Sequence, residues 1–496
     1  MSAPALTVHR RLGAGRELSR GSRAAYHAIG ELPGEPHLVR TDLVEGGATS
    51  PQLSGPALAC FAHLTDIHLT DAQSPARFEF INRYHADPRF RMLLPMQRPQ
   101  EALNPHSAAA MLRTLDALGA GPVTGSPVKL LVNSGDAVDN VQANELAAFV
   151  ALFQGGTVRL GSGGAGYHGV QSVEWPDDVA WKPDGGPTPD PFRAAFGFPI
   201  HPGLLERAVA PFPAPGVRLP WLGCHGNHEE VVQGVGIVTP ELAAWLVGAR
   251  HPLAMPDGID PGDAAELFVT RPEAFTRGAT LPVAADPARH PFTAQDFLRA
   301  NRLDRADHVH DTARVRFVIL DTACPAGAAD GCVDEGQLAW LQEQLEDAGG
   351  RRVVLVTHHG LDSLTNRRPH PTGSLVVDPA RLLATLNGSS NVVLWLNGHI
   401  HLNQVQPRGT FWEVTTGSLV DWPCQARLLE LVEVAGGRLA IACTMVDHDS
   451  PLDPGEALES GQMAALHREL AGNVPGQGFG SRRAGHELDR NVILLR

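Results

Sequence analysis

The sequence has few cysteines, no long apolar run and no excess of positive charge. Six cysteines occur in 496 residues without a C-x-x-C spacing, which is typical of reduced thiols and predicts a cytoplasmic protein. No segment approaches the ~18 consecutive apolar residues of a membrane span, and Arg10-Arg11 is not followed by the apolar stretch of an export signal. The formal charge of -14 argues against a large nucleic-acid surface. We therefore expect neither a membrane nor a nucleic acid as partner.

The composition is that of a globular protein with long loops. Hydrophobic residues make up 43% and charged residues 19% of the chain, while 52 glycines and 40 prolines favour irregular connections. We predict an N-terminal extension over residues 1–55 and a main domain over 56–449. Loop-rich insertions are expected within that domain at about 154–216 and 232–312. Residues 450–496 are expected to form a covering tail.

Short apolar runs alternate with helical patterns along the main domain. A helix is predicted from Ser107 to Leu118 with Ser107 as its cap, and Asp334 and Gln337 have the spacing of a capping box. Residues 435–437, between two apolar runs, predict a hairpin turn. The strand–helix–strand rhythm indicates the α/β class. The main buried-strand runs lie at 57–64, 128–132, 219–224, 316–321, 353–356 and 391–396.

Five of these runs end in residue types that bind metals. In an extended segment alternate side chains point the same way, so His399 and His401 are expected to converge on one point, with Gly398 allowing a tight turn beside them. His359 follows His358 directly and should point away from the site, into the core or a supporting position. The candidate ligands after the five strands are Asp66 and His68, Asp136, Asn227 and His228, His358, and His399 and His401.

Imidazoles and carboxylates together favour Mn, Fe, Zn or Co over Ca, which prefers oxygen ligands alone. Even seven of these eight candidates are too many for one such ion and enough for two if one carboxylate bridges them. Two-metal centres of this kind promote in-line displacement at phosphorus and generate a hydroxide nucleophile near neutral pH. A glycine-rich run at 161–166 has the letters of a dinucleotide fingerprint, but no helical pattern follows it, so we predict no nucleotide cofactor.

These motifs resemble the five ordered motifs of the calcineurin-like metallophosphoesterase superfamily. The resemblance covers roughly residues 57–425, apart from the two insertions. It implies a four-layer αββα sandwich with two mixed β-sheets. The matching motifs are Asp66-x-His68, Gly135-Asp136-x-x-Asp139, Gly226-Asn227-His228-Glu229, His358 and Gly398-His399-x-His401.

The resemblance also implies a role for each residue. A metal-bridging hydroxide would attack phosphorus. His228 would stabilise the phosphoryl group or protonate the leaving oxygen, and Asp139 would orient His228 and favour its charged form. The implied ligands are Asp66, His68 and His401 for one ion, Asn227, His358 and His399 for the other, and Asp136 for both.

The second motif departs from that of the superfamily's protein phosphatases, which follow the aspartate with an arginine. This chain has Asn140 there, which favours smaller substrates. We predict an enzyme that hydrolyses a small phosphodiester with two divalent or mixed-valence ions (Mn, Fe or Zn). A phosphomonoesterase is the alternative, and a non-catalytic metal-bound scaffold or a nuclease is less favoured.

Overall fold

The structure is a computed structural model that describes residues 6–44, 53, 55–161, 163–164, 166–434, 438–456 and 458–496. Within these ranges the chain forms helices and strands of the α/β class. The strands in chain order are β1 (Arg10–Arg20), β2 (Ala25–Pro33), β3 (Leu38–Arg40), β4 (Ala59–Leu64), β5 (Leu131–Asn133), β6 (Gly156–Val158), β7 (Phe212–Ala214), β8 (Trp221–Gly223), β9 (Arg250–Pro252), β10 (Thr280–Pro282), β11 (His308–Asp311), β12 (Val315–Ile319), β13 (Arg352–Val356), β14 (Val392–Asn397), β15 (Gln404–Pro407), β16 (Trp412–Thr415), β17 (Gln425–Val434), β18 (Arg438–Asp447) and β19 (Val492–Leu495).

The helices lie mostly between these strands. The predicted helix at Ser107 begins three residues earlier and has no side-chain cap. The predicted capping box is confirmed, since the Asp334 side chain accepts from Gln337 N and the Gln337 side chain accepts from Asp334 N. The helices are α1 (Asn104–Ala117), α2 (Ala143–Gln154), α3 (Pro191–Phe196), α4 (Leu204–Ala208), α5 (Val231–Gly234), α6 (Pro240–Leu246), α7 (Ala264–Thr270), α8 (Ala294–Asn301), α9 (Glu335–Glu346), α10 (Pro379–Gly388) and α11 (Ser460–Asn473).

Two mixed sheets organise the main domain, as predicted. One has the order β11-β12-β13-β14-β16-β15, in which β12, β13, β14 and β16 are parallel and the edge strands β11 and β15 are antiparallel. The other has the order β3-β19-β18-β17-β4-β5-β8, with β4, β5 and β8 parallel. Strand β14 is buried along its whole length, which explains its unbroken apolar sequence. The predicted turn at 435–437 lies outside the described residues, and β17 and β18, which flank it, pair antiparallel.

Buried side chains of both sheets form one hydrophobic cluster. Phe61 of β4 and Phe317 of β12 meet edge to face across it, with ring centroids 5.1 Å apart. A second cluster packs α9 and α10 against β12 and β13, and a third packs α1 and α2 against β4 and β5. Helices therefore cover the face of each sheet that the shared cluster does not use. This packing holds the two sheets in a fixed relation beneath the candidate site.

The ends of the chain also join this framework. Strand β3 pairs in parallel with β19, which pairs with β18 at the edge of the larger sheet, and α11 packs against α1. The boundaries at residues 55 and 450 stay predictions. All six cysteines are buried and free. Among the described residues, no helix is long and apolar enough to cross a membrane.

Candidate metal centre

The candidate ligands follow the carboxyl ends of parallel strands in both sheets. Strands β4, β5 and β8 lead to one group of ligands, and β13 and β14 lead to the other. Because parallel strands end at a common edge, residues far apart in the chain meet there. The structure brings all seven predicted ligands together: Asp66, His68, Asp136, Asn227, His358, His399 and His401.

The first half of the centre is formed by Asp66, His68 and His401. The Nε2 atom of His401 lies 3.2 Å from Asp66 Oδ1 and 3.2 Å from His68 Nε2. The Nε2 atom of His68 lies 3.7 Å from Asp136 Oδ2. These ligand atoms face one small volume and all three side chains are buried.

The second half is formed by Asn227, His358 and His399. The Nε2 atom of His358 lies 3.1 Å from Asn227 Oδ1, and His399 Nδ1 lies 3.1 Å from that same oxygen. The carboxylate of Asp136 also belongs to this half, because its Oδ2 atom lies 3.1 Å from His358 Nε2. Asp136 is thus the residue that both halves share.

The backbone at these ligands is not extended. Asp66, His68, Asp136, His399 and His401 all have positive φ angles, between 50° and 68°. Non-glycine residues rarely adopt this left-handed conformation, and where they do it is most often at functional sites. The prediction that His399 and His401 lie on an extended segment and converge on one point is therefore wrong. Strand β14 ends at Asn397, and the turn after it sends the two imidazoles into different halves of the centre.

Glycines make room for the ligands at two positions. A Cβ at Gly398 would overlap Thr65 Oγ1 and the Asp66 carboxylate, and a Cβ at Gly226 would overlap the Asp136 carboxylate. Both glycines are required for close approach, since neither has a positive φ.

Asp139 supports the centre from behind. Its Oδ1 atom lies 2.9 Å from His68 Nδ1 and 3.1 Å from His228 Nδ1, so one carboxylate oxygen accepts from both imidazoles. The buried guanidinium of Arg77 donates to the other oxygen. These bonds direct Nε2 of His68 toward the other ligands. They also leave Nε2 of His228 facing the volume between the ligands, 4.0 Å from Asp136 Oδ2.

The pKa of His228 reflects opposing influences. Burial lowers the pKa of His228, whereas Asp136 and Asp139 both act to raise it. The effect of Asp139 has the predicted direction, since its carboxylate favours the charged imidazole.

The carboxylates and imidazoles of the centre stabilise one another's charged forms, so the carboxylates favour positive charge at this position. Burial lowers the pKa of His68, but Asp139 and Asp66 reverse this and raise it to about 10. Burial has the same effect at His358, where Asp136 raises the pKa to about 9. Burial raises the pKa of Asp136, but His358 and His228 hold it below its ordinary value. Divalent cations would displace the imidazole protons and replace their positive charge, so this donor set fits a pair of them.

Asp421 is a supporting residue that the motifs do not contain. Its Oδ2 atom lies 2.6 Å from His401 Nδ1, and Arg98 and Arg483 also bond to this carboxylate at 3.1 and 3.0 Å. Asp421 comes six residues after the end of β16, the parallel neighbour of β14. An acidic residue beyond the end of one more parallel strand was the signal that could have revealed it.

Two buried glutamates fix the loop that carries Asp136 and Asp139. Glu229 accepts from the backbone N–H groups of Gly226 and Asp136, at 2.7 and 3.1 Å. It also accepts from the N–H groups of the two residues that follow Asp136. Glu145 accepts from the N–H groups of Asp139 and its successor at 3.2 and 2.8 Å. The last residue of the motif Gly-Asn-His-Glu thus acts on the bridging loop and not on the metal site directly.

Two further predicted residues lie beside the centre. Both ring nitrogens of His359 have partners outside the centre, Thr322 Oγ1 and Ala329 O, each at 2.9 Å, which fits the expected supporting position, although its ring centroid lies only 4.4 Å from that of His399. Asn140 is buried, and its side chain accepts from Gln233 N at 3.2 Å. It therefore does not replace the phosphate-binding arginine of the protein phosphatases.

The centre opens into a cavity of about 180 Å³. Asp136, Asn227, His228, His399 and His401 line its floor. Arg98 and Arg483, the two arginines that bond to Asp421, line its rim, so positive charge reaches the cavity from residues outside the five motifs.

One curated phosphodiesterase is similar in sequence to part of this chain. The chain is 27% identical over 168 residues to the glycerophosphodiester phosphodiesterase GpdQ of Enterobacter lignolyticus, and this match covers 32% of the chain and 49% of that protein. The chain thus matches about half the length of this curated relative. No family model matches the chain.

Two solved structures show a distant likeness to this chain. A dimetal phosphatase from Danio rerio aligns with 79% of this chain and 100% of its own, at 12% identity and a TM-score of 0.32. The sulfate thiohydrolase SoxB of Thermus thermophilus aligns with 85% of this chain and 58% of its own, at 14% identity and a TM-score of 0.30. Likenesses this low carry no weight for the site described above.

Proposed function

We propose that this chain is a dinuclear metal-dependent phosphoesterase that hydrolyses a small phosphodiester. The observation that carries the proposal is the position of Asp136, whose Oδ2 atom lies 3.7 Å from His68 Nε2 in one half of the centre and 3.1 Å from His358 Nε2 in the other. A carboxylate shared in this way is what a two-metal centre requires. The likeness to a glycerophosphodiester phosphodiesterase favours a diester over a monoester.

Some residues of the centre would bind the metal ions, and others would attract the substrate or transfer a proton. Asp66, His68 and His401 would hold one ion, Asn227, His358 and His399 the other, and Asp136 both. Bound divalent ions supply Lewis-acid activation of water and of the phosphoryl group. Arg98 and Arg483, whose guanidinium groups bond to Asp421, bring positive charge to the cavity that attracts an anionic substrate, and Asp139 holds His228 with its Nε2 atom toward the cavity.

His228 is suited to exchange a proton with an oxygen of the substrate. Its Nδ1–H donates to Asp139, so Nε2 is the atom that gains or releases the proton. Burial lowers the pKa of His228, so its protonated form gives up the Nε2 proton to a leaving oxygen more readily than a free imidazolium does. Asp139 then stabilises the imidazolium while it lasts.

The four-layer αββα sandwich and the domain boundaries at 56 and 449 belong to the same proposal. Support comes from the cluster shared by both sheets and from the helices packed on the opposite face of each.

Hydrolysis of bis(p-nitrophenyl) phosphate, beside p-nitrophenyl phosphate, tests this function. The protein would be reconstituted with Mn, Fe or Zn and compared with chelator-treated protein. Faster, metal-dependent turnover of the diester is the expected result. Faster turnover of the monoester would indicate a phosphomonoesterase, and stoichiometric metal binding with no turnover of either ester would indicate a scaffold.

A further inference from the structure

A much larger groove continues from the cavity at the metal centre. The groove measures about 1670 Å³, against about 180 Å³ for the cavity. Leu94, Pro95, Arg98, Ile400 and Arg483 line both, so the two spaces adjoin at these residues. Pockets for drug-sized ligands occupy roughly 300–1,000 Å³, and the cavity alone holds little more than a phosphoryl group. The non-reacting arm of a bound phosphoester must therefore extend into the groove.

The groove is positively charged, whereas the chain as a whole carries a formal charge of -14. Three aspartates also line it, and two of them are already paired, Asp87 with Arg89 and Asp177 with Arg83. A cleft lined mainly by one sign of charge concentrates ligands of the opposite sign. The arginines that line the groove are Arg23, Arg83, Arg91, Arg98, Arg482 and Arg483.

Three of these arginines are free to bind a ligand. Arg23, Arg91 and Arg482 are exposed, and no ion pair or side-chain hydrogen bond holds them within the described part of the chain. Exposed arginines without partners keep all their donors for a planar anion such as phosphate or carboxylate. Arg83 and Arg98, by contrast, are occupied by Asp177 and Asp421.

The backbone turn at Arg482 is held near the metal centre by the neighbouring residue, Arg483. The guanidinium of Arg483 bonds to His401 O at 3.4 Å and to Gln477 Oε1 at 2.7 Å, and its backbone carbonyl accepts from Asn403 N at 3.0 Å. The turn that carries Arg482 is therefore tied to the loop that carries a metal ligand. An anion bound by Arg482 would lie at a defined distance from the reacting phosphorus.

Ile400 marks the passage between cavity and groove. It lies between His399 and His401 in sequence and is 42% exposed, although most large hydrophobic residues here are buried. Because both neighbours face the metal centre and Ile400 lines both the cavity and the groove, a substrate arm that passes from one to the other would contact it.

We propose that the groove binds a second anionic group on the non-reacting arm of the substrate. The substrate class is then a phosphodiester that carries a further phosphate or carboxylate. This inference rests on the proposed function, since it places the scissile diester at the metal centre. Arg91 and Arg482 are the specificity residues, and they contact the arm and not the reacting atoms.

A matched pair of substrates tests the proposal. Thymidylyl-thymidine and its 5′-phosphorylated form contain the same diester bond and differ in one terminal phosphate. The manganese-loaded protein is expected to hydrolyse the phosphorylated form with a kcat/KM about 25-fold higher, mainly through a lower KM. Each exposed arginine–phosphate pair accounts for roughly a fivefold effect.

Arginine variants show whether the groove causes the preference. In Arg91→Gln and Arg482→Gln the ratio of the two kcat/KM values is expected to fall by about fivefold each. Arg159→Gln is the control, because Arg159 is exposed but does not line the groove, and its ratio should match that of the unmodified protein.

The outcomes separate this inference from the proposed function. Turnover of bis(p-nitrophenyl) phosphate with equal kcat/KM for the two dinucleotides would overturn the groove proposal and leave the phosphodiesterase standing. If no ester is hydrolysed, the proposed function fails, and calorimetric binding of thymidine 3′,5′-bisphosphate and thymidine 5′-monophosphate decides on the groove. An anion site would be supported if the bisphosphate binds more tightly than the monophosphate and if Arg482→Gln abolishes that difference. Equal binding of the two nucleotides would overturn it.

Discussion

The Oδ2 atom of Asp421 lies 2.6 Å from Nδ1 of His401. The carboxylate accepts the Nδ1 proton, so His401 presents Nε2 to Asp66 and to the metal position. Two arginines, Arg98 and Arg483, keep Asp421 ionised: burial raises its pKa, but they and His401 hold it well below its ordinary value. Asp421 is therefore a positioning residue that links the metal centre to the charged rim of the cavity.

Asp421→Asn tests this link through metal affinity. Loss of the charged acceptor should free His401 to rotate, and outer-shell changes of this kind lower metal affinity about 10–100-fold. Equilibrium dialysis against buffered Mn or Zn measures the effect, with circular dichroism as the check on folding. Asp449→Asn is the control, since Asp449 pairs with Arg113 on the surface. Unchanged affinity in Asp421→Asn would show that His401 is oriented without it.

Gly398→Ala should disable the first half of the centre. The added Cβ would collide with Thr65 Oγ1 and with the Asp66 carboxylate, which must then move away from His401. We expect the metal content to fall below that of the unmodified protein because one of the two metal positions is lost. Phosphodiesterase activity should fall at least tenfold. Gly388→Ala is a matched control, because a Cβ there meets nothing within 4 Å. Equal metal content in the two variants would contradict the steric argument.

His228→Gln should separate chemistry from metal binding. The His228 side chain lines the cavity and bonds to Asp139, while its backbone N–H, which donates to Asp136 at 2.9 Å, is kept in the variant, so metal content should stay unchanged. Removal of a proton-transfer group lowers kcat by about 10²–10⁴-fold. Metal analysis and steady-state kinetics on the same sample measure both properties. A loss of metal together with activity would instead make His228 a ligand.

His106 should make the protein sensitive to acid. It is buried, with Nε2 3.1 Å from Ala208 O and Nδ1 3.0 Å from Ser460 Oγ, and burial lowers its pKa to about 4. The unfolded chain takes up a proton below about pH 6.5 while the folded chain does not, so this contribution is complete above that pH and is lost as the pH falls toward 4. Between pH 7 and pH 5 the loss is roughly 2 kcal/mol.

Urea unfolding at these two pH values checks the expectation. In His106→Gln the difference in unfolding free energy between pH 7 and pH 5 should be smaller by that amount. His85→Gln, which changes an exposed histidine, should keep the difference seen in the unmodified protein. An unchanged difference in His106→Gln would show that other groups set the acid sensitivity.

The ligand positions could be predicted because they obey a local rule. Each follows an apolar run that becomes a buried strand, and ligand-type residues at such ends are visible in the sequence. The left-handed backbone at Asp66 and His399 was not visible, because neither residue is glycine and the conformation is imposed by contacts with other strands. Alternation along an extended segment was the wrong model for residues beyond a strand end.

The supporting shell could not be predicted because its partners lie far apart in the chain. Arg77 and Asp139 are 62 residues apart, and Asp421 and Arg98 are 323 residues apart. No spacing rule relates such pairs, and an arginine or aspartate in a loop looks like any other surface charge. The arginine groove escaped prediction for the same reason, since it is assembled from the N-terminal hairpin, the 79–98 region and the C-terminal tail.

The ligands come from two separate sheets. Asp66, Asp136 and Asn227 follow strands of the larger sheet, while His358 and His399 follow strands of the smaller one. Neither sheet can complete the centre alone, so the site exists only when the two sheets are docked. Bound metal would therefore stabilise the docked state, by about 2.7 kcal/mol at a free-metal concentration of 100 Kd. A melting temperature that rises with free manganese would reveal this coupling.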